Sequence, residues 1–408
     1  MSRHTMKLIL FLVILLCIGC KDGEGVSRIN ADKTSQNDNL IPDQNENIIS
    51  DPNEDIISDQ NEDLFIEGAS DMNDSNVVDG LEYLSSREYI ERTYPSPKGG
   101  HFVYERVPGV RGNVHEYFKY FYLGSSRDEL FILYAPSIRS PFSGDSVVWL
   151  DESTFIFDGR YIYDVEAKEK IKSLLEETLK NNYLMNWSMN HDKSKIAYCI
   201  INSSNYRVEI YEYTLETHEV KKIYDFEALI TSISTVLNIT WDLHNNIYFD
   251  TSYRGEEYQV YMYECGENQV SLYYEDVVLG PTSQDKRFIS ILDYKKRTTI
   301  LIDTLEDERY DLDYTYNFLF LDGSMLVHIP LGNSDELRMT RLEGGIKTEV
   351  KVISLRDIKI EECYVENLQL VDGQLTLDLV KYKDHRFKSI VLEAKRYRVK
   401  LEEVEGIE

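Results

Sequence analysis

KIAYCIINSSNYRVEIYEYTLETHEVKKIYDF, from Lys195 to Phe226, is followed by NIYFDTSYRGEEYQVYMYECGENQVSLYYED, from Asn246 to Asp276. Both read as an apolar strand, a polar turn, a second strand with period-2 alternation, a turn of about four polar residues and a third strand. Tyr206, Val208, Ile210 and Tyr211 of the first correspond to Tyr258, Val260, Met262 and Tyr263 of the second. A three-stranded unit that recurs in this way points to a repeat architecture, and the rest of the chain is read from it.

Weaker copies flank the pair. Equivalent strand starts fall at Phe102, Phe155, Ile196, Ile247, Ile289, Met325 and Leu375, at spacings of 53, 41, 51, 42, 36 and 50 residues. The mean, about 45, suits four strands per propeller blade. The body therefore reads as an all-β protein, a β-propeller of seven four-stranded blades, with six as the alternative count. A β-sandwich does not need seven similar units, and an α-solenoid needs the 3.6-residue period that this chain almost lacks. The exception is KEKIKSLLEETLKNN (Lys168–Asn182), where Ile171, Leu174, Leu175 and Leu179 could share a helix face; the stretch reads as a short helix in place of an outer strand or as a strand followed by a loop.

One repeat carries a recognisable motif. NWSMNHDKSKIAY (Asn186–Tyr198) resembles the W-S-x-D-G-x-x-I-A-Y signature of TolB-like, or PD40-type (WD40-like), propeller repeats, and GPTSQDKRFIS (from Gly280) is a partial second copy. Lys193 and Lys286 stand where that signature has a turn Gly, and Trp187 lies two residues further upstream than it places the Trp. The resemblance implies recognition of protein or peptide partners on one propeller face, around the central channel.

The N-terminal part has a different character. Arg3 and Lys7 precede the apolar run LILFLVILLCIG (Leu8–Gly19), too short for a helix to span a bilayer that needs about 20 residues. The run ends in LLCIGC, which resembles the lipobox of bacterial lipoproteins, with Cys17 at a position where Leu is usual. That resemblance implies a signal peptide over residues 1–19, cleavage before Cys20, lipidation (palmitate and diacylglycerol type) of Cys20, and a mature protein held at the cell membrane facing outside the cytoplasm.

Residues 20–80 read as a disordered acidic linker, with 16 acidic and 3 basic side chains from position 21 onward. Within it, DQNENIISDPNEDIISDQNED (Asp43–Asp63) puts Asp51, Asn53, Asp55, Asp59 and Glu62 at EF-hand ligand spacing. Ile56 occupies the position that needs Gly, and Pro52 sits inside the loop. The unit D-x-N-E-[DN]-I-I-S simply repeats every eight residues, so the spacing follows from duplication. Such a linker would span roughly 45 Å as a flexible coil. The propeller is expected over 81–408.

The composition narrows the function. A net charge of −28 argues against nucleic acid and anionic headgroups as partners. Thirty Tyr favour pleated, half-buried surfaces. Cys199, Cys265 and Cys363 are far apart and read as free thiols rather than a disulfide or zinc scaffold. The sequence has no nucleophile elbow, P-loop, dinucleotide fingerprint or HExxH. His101, His115, His191, His218, His244, His328 and His385 fall mostly in turns. Asp311 and Asp313 could offer oxygens to a cation but read as a charge cluster at a strand edge. Tyr211, Tyr213, Tyr261 and Tyr263 should pack between blades. No catalytic, cofactor-binding or metal-binding residue is assigned. The expected function is a protein- or peptide-binding scaffold at the cell envelope. The alternatives are a propeller hydrolase or lyase acting on cell-wall or extracellular polysaccharide, with carboxylates at the channel mouth, and an envelope sensor.

Overall fold

The computed structural model describes residues 80–401, apart from 108–109, 112–115, 119, 125–130, 135–136, 139–145, 181, 203, 206, 228–237, 254–256, 314, 316, 322, 331–334, 359–362, 372 and 384–390. Cys20, the linker and its EF-hand-like spacing lie outside the described residues.

Seven four-stranded antiparallel sheets follow one another along the chain. Blade 1 is Ile90–Pro95, Phe102–Val107, Tyr120–Gly124 and Phe131–Tyr134. Blade 2 is Val147–Trp149, Thr154–Phe157, Tyr161–Asp164 and Glu169–Ser173. Blade 3 is Asn182–Met189, Lys195–Asn202, Arg207–Thr214 and Val220–Glu227; blade 4 is Ile239–Trp241, Ile247–Tyr253, Glu257–Glu264 and Gln269–Glu275. Blade 5 is Val278–Thr282, Phe288–Asp293, Thr298–Asp303 and Glu308–Asp313; blade 6 is Phe318–Phe320, Met325–His328, Glu336–Glu343 and Ile346–Ser354. Blade 7 takes Cys363–Val371, Gln374–Tyr382 and Val391–Val399 from the C-terminal part, and its outermost strand, Leu81–Arg87, from the start of the domain. All seven strand starts taken from the sequence lie on the second strand of a blade, which settles the count at seven.

The first strand of each blade is innermost. Ile90–Pro95 and Phe318–Phe320 both lie beside Cys363–Val371, and Asn182–Met189 lies beside Ile239–Trp241. Second and third strands are sandwiched between neighbouring blades, so they bury both faces. Every residue of Phe288–Asp293 is buried. Outer strands meet water, and Gln269–Glu275 is mostly exposed. This explains why the second strands carry the clearest apolar signal.

Each pair of neighbours encloses its own apolar core. Val103, Phe121 and Leu123 meet Trp149, Phe155 and Phe157 between blades 1 and 2. Cys199, Val208 and Ile210 meet Trp241, Phe249 and Tyr263 between blades 3 and 4. Met325, Val327 and Met339 meet Leu375, Leu377 and Tyr397 between blades 6 and 7. The three Trp all face the preceding blade. Trp149 Nε1 donates to the Tyr94 carbonyl (3.1 Å) and Trp241 Nε1 to the Ser188 carbonyl (3.0 Å). Trp187 lies over Gly159, where a Cβ would come within 2.6 Å of the indole. Its two-residue displacement keeps it on the same face, because side chains in a strand alternate with period 2.

The turn between first and second strands repeats around the ring. Ser96, Asn190, Asp242 and Ser283 open it, and the side chain of each accepts the backbone N–H of His101, Lys195, Asn246 and Phe288, at 2.8–3.0 Å. The turn needs a left-handed residue, supplied by Gly99 (φ 71°), Lys193 (60°), Asn245 (63°) and Lys286 (65°). For Lys this conformation costs on the order of 1 kcal/mol.

Of the two readings of Lys168–Asn182, the structure takes the strand rather than the helix. Glu169–Ser173 is the outer strand of blade 2, and only Glu176–Leu179 forms a helical turn. Ile171 is exposed on that strand, while Leu174 and Leu175 are buried against blade 3. A four-residue helix is too short to present a stripe. Blade 1 also carries an addition that the repeat pattern does not contain. Val110–Arg111, Glu116–Phe118 and Ser137–Ile138 pair as a small three-stranded sheet, built from connections on either side of its outer hairpin.

Candidate binding face and channel

Antiparallel blades sort their connections onto two faces. One face holds the turns from first to second and third to fourth strand; here it is the turn face. None of these turns exceeds six residues. The other, the loop face, holds the second-to-third and blade-to-blade connections. On it lie the strand ends that flank the longest connections in the sequence, 108–119, 135–146, 174–181, 228–238, 329–335, 355–362 and 383–390, and the small extra sheet of blade 1. Leu81 pairs with Val399, and Lys400 N donates to the Gly80 carbonyl at 2.9 Å. The chain thus passes into and out of the propeller at the turn face.

The turn face is stitched from blade to blade. Glu152 of blade 2 accepts Ser96 Oγ (2.7 Å), Lys98 N (2.8 Å) and Gly100 N (3.1 Å) from blade 1, which hold its carboxyl below the usual carboxylate range. Lys193 Nζ reaches back to the Trp149 carbonyl (2.6 Å), and Asn190 Nδ2 donates to Asn245 Oδ1 (2.9 Å). Lys286 of blade 5 is buried, and its ammonium donates to Ser188 Oγ (3.3 Å) of blade 3. The two Lys that replace the turn Gly therefore offset their backbone cost with contacts near the channel mouth.

A groove of about 590 Å³ on the same face lies between blades 5 and 6, lined by Arg287, Glu306, Glu308, Tyr310, Arg341 and Glu343 among others. Two of its charges, Arg287 and Glu308, are engaged within the fold. Arg287 holds Asp303 with two nitrogens, and Glu308 accepts Tyr310 Oη (2.6 Å) and Gly345 N (2.7 Å).

At the loop face, Tyr258 and Tyr294 are 39% and 52% exposed with ring centroids 6.3 Å apart, next to the Lys295–Asp276 ion pair. Exposed paired Tyr offer a large contact area at low entropic cost.

Deeper in the ring, Arg92 of the innermost strand of blade 1 has a half-exposed side chain, while Glu105 directly opposite on the second strand is fully buried. Glu105 accepts Tyr94 Oη at 2.6 Å and lies 3.7 Å from Arg92 Nη1, with Glu366 of blade 7 acting electrostatically on Arg92. Burial, and then the Glu105 charge, push the Tyr94 phenol well above its ordinary range, so it keeps its proton. These residues went unnoticed in the sequence. The signal lay in register: the hairpin IERTYP/FVYERV sets Glu91 opposite Arg106 and Arg92 opposite Glu105.

The residues singled out beforehand do not converge. His191 is exposed in the blade 3 turn beside Asp192. Asp311 and Asp313 lie on the exposed outer strand of blade 5, the first paired with Arg309 and the second with Arg338. Tyr211 bonds Glu209, Tyr213 contacts His218, Tyr261 bonds Gln259, and Tyr263 is buried between blades 3 and 4. Among the described residues Cys199, Cys265 and Cys363 form no disulfide; Cys199 is buried, its thiol pushed up to about 12 by burial, and the other two are half-buried. Among the described residues, no group of three His, Cys, Asp or Glu is placed to hold a metal ion.

No family model and no curated protein matches the chain. Among solved structures it is similar to an oligogalacturonate lyase in complex with manganese, at 11% identity over 78% of this chain and 98% of that one, TM-score 0.43. It is similar to the β-propeller domain of the Trilobed protease from Pyrococcus furiosus, at 12% identity over 76% and 94%, TM-score 0.42. It is also similar to TolB from Acinetobacter baumannii, at 14% identity over 76% and 82%, TM-score 0.33. The likeness is one of propeller architecture.

Proposed function

We propose that this chain is a lipid-anchored, extracytoplasmic binding module that takes a protein or peptide partner of the cell envelope on its loop face. The anchor is the lipid on Cys20, and the acidic linker is the tether. One observation carries the reading: the strand ends that flank the long connections, the extra sheet and the exposed Tyr258–Tyr294 pair share one face, while the chain enters and leaves by the other. Loops held on a rigid scaffold are where recognition surfaces concentrate. The stitched turn face suits a structural role.

The test uses the full chain in intact membranes, with a photo-crosslinking residue at Tyr294 or at Glu216 of the turn face. The expected result is a discrete partner adduct from Tyr294 only, and release of the protein to the soluble fraction by Cys20→Ser. An adduct from Glu216 alone would overturn the face assignment, and a soluble-fraction shift without Cys20→Ser would overturn the anchor.

The Arg92–Glu105–Tyr94 group favours a second reading, a hydrolase or lyase of extracellular polysaccharide working inside the channel. It is the weaker one, since the phenol holds its proton and supplies no base near neutral pH. Turnover of an acidic glycan panel, lost in Glu105→Gln, would establish it.

A further inference from the structure

The seam between blades 7 and 1 is built differently from the rest. Its apolar part is small, formed by Ile90, Val380, Tyr382, Val391 and Ala394, with Val107 and Tyr364 packed on them. Buried charge fills the remainder. Glu91, 1% exposed, stands between Arg87 Nη1 (2.5 Å), Arg106 Nε (2.9 Å) and Arg396 Nη1 (3.8 Å). Arg396 holds Asp378 with two nitrogens (2.7 and 2.8 Å) and also donates to the Glu91 carbonyl. Asn367 and Gln369 donate to that same carbonyl, and Thr93 N donates to Gln369 Oε1 (3.0 Å). Arg106 is sandwiched between the rings of Tyr89 and Tyr122, 4.8 and 4.9 Å from their centroids.

Opening an apolar seam exposes its whole area to water with nothing regained. Opening an ionic one returns each charge to solvent, where hydration replaces most of what the partner supplied. The free energy of local opening is therefore lowest at the blade 7–blade 1 seam. The covalent path adds a condition. Leu81–Arg87 belongs to blade 7 and Ile90–Pro95 to blade 1, and only Glu88 and Tyr89 join them. The seam cannot widen unless Leu81–Arg87 peels from Val391–Val399. Beyond its backbone ladder with Val391–Val399 and the Tyr83–Tyr397 ring contact (5.7 Å), that strand is held at the surface: Leu81 is its one buried residue, and Ser86–Glu393 (3.0 Å) and Arg398–Glu82 (3.2 Å) are exposed contacts.

We propose that the ring opens between blades 7 and 1, with the N-terminal strand Leu81–Arg87 as its latch and Glu91 as the group that locks it. The residues that precede the latch lead directly into it, so a load on them acts first on this strand.

Hydrogen–deuterium exchange of the full chain, resolved by segment, tests this. In the wild type, Leu81–Arg87, Ile90–Pro95 and Cys363–Val371 should exchange together and faster than Asn182–Met189 and Val278–Thr282. Glu91→Gln keeps the shape and removes the charge, and should raise exchange in those three segments by about tenfold or more, the loss of one charged hydrogen bond. Leu81→Ala, which loosens only the apolar anchor of the latch, should raise the same three and serves if Glu91→Gln fails to fold. Leu301→Ala between blades 5 and 6 should leave them unchanged. A uniform rise across all blades in both latch variants, or wild-type exchange no faster at this seam than elsewhere, would overturn the proposal.

Discussion

The seam between blades 3 and 4 and the seam between blades 7 and 1 solve the same geometric problem with opposite chemistry. The first joins consecutive blades and fills the wedge with Trp241, Phe249, Tyr263, Ile210 and Cys199, with the Trp241 indole hydrogen-bonded across it and polar contacts such as Asn190–Asn245 at its margin. The second joins the two ends of the domain, with partners 276 to 305 residues apart, and fills it with paired charges and carboxamides. Apolar packing is non-directional and rewards area wherever it is buried. Directed contacts, here Arg87 and Arg396 on the Glu91 carboxylate and Asn367 and Gln369 on its carbonyl, reward one register only. A blade that follows its neighbour in sequence is already delivered to its place. A ring that must find its own end gains most from contacts that reject every other register.

The largest effect should come from the apolar side of this comparison. Trp241→Ala removes a fully buried ring and its hydrogen bond, and should lower stability by about 3–5 kcal/mol in urea unfolding at neutral pH. A loss below 1 kcal/mol would mean that this seam is not held by its core.

Next comes the ionic seam. Asp378→Ala leaves Arg396 buried with its bidentate partner gone and should cost about 3 kcal/mol. Replacing both, Asp378→Leu with Arg396→Met, should recover most of that loss. If the double variant is no better than the single one, the pair contributes more than register.

The most gradual effect, small per pH unit, concerns Asp250, a buried carboxylate that meets amides instead of a guanidinium. It accepts Asn238 N (2.7 Å), Asn238 Nδ2 (2.8 Å) and Leu279 N (3.1 Å) at the start of the innermost strands of blades 4 and 5. Burial pushes its carboxyl up to about 7 from an ordinary 3.8. The folded form then holds a proton that the unfolded form has released. Its contribution to stability is complete below about pH 4 and is lost as pH rises toward 7, at no more than about 1.4 kcal/mol per pH unit. Denaturation midpoints between pH 4 and 8 should show this slope in the wild type and a flatter one in Asp250→Asn.

The seven second strands were legible because they bury both faces, so their apolar runs survive in the sequence without context. Phe102, Phe155, Ile196, Ile247, Ile289, Met325 and Leu375 all fall on them. The innermost strands were harder. Ile239–Trp241 and Phe318–Phe320 are three residues long, too short for any period to register. Leu81–Arg87 showed nothing of its role, since its pairing with Val391–Val399 is a long-range contact with no local signature. The Lys168–Asn182 stretch left helix and strand both open because Leu174 and Leu175 owe their apolar character to burial by blade 3, which helix periodicity imitates. The turn lysines read as departures from a motif; their reach toward the channel depends on neighbouring blades. At the candidate face, the two tyrosines carried no mark in the sequence that set them apart from the other twenty-eight.

The meeting of Gly80 and Lys400 at one backbone hydrogen bond has a further consequence. A short linker between those two positions would close the polypeptide into a covalent circle, in which all seven blades become equivalent by connectivity. New ends could then be cut within 228–238, leaving every four-stranded sheet continuous in sequence. In such a permuted chain the guanidinium–carboxylate lock would no longer guard a junction between ends. Whether it still holds the ring shut would separate what chain order demands of this seam from what its chemistry supplies.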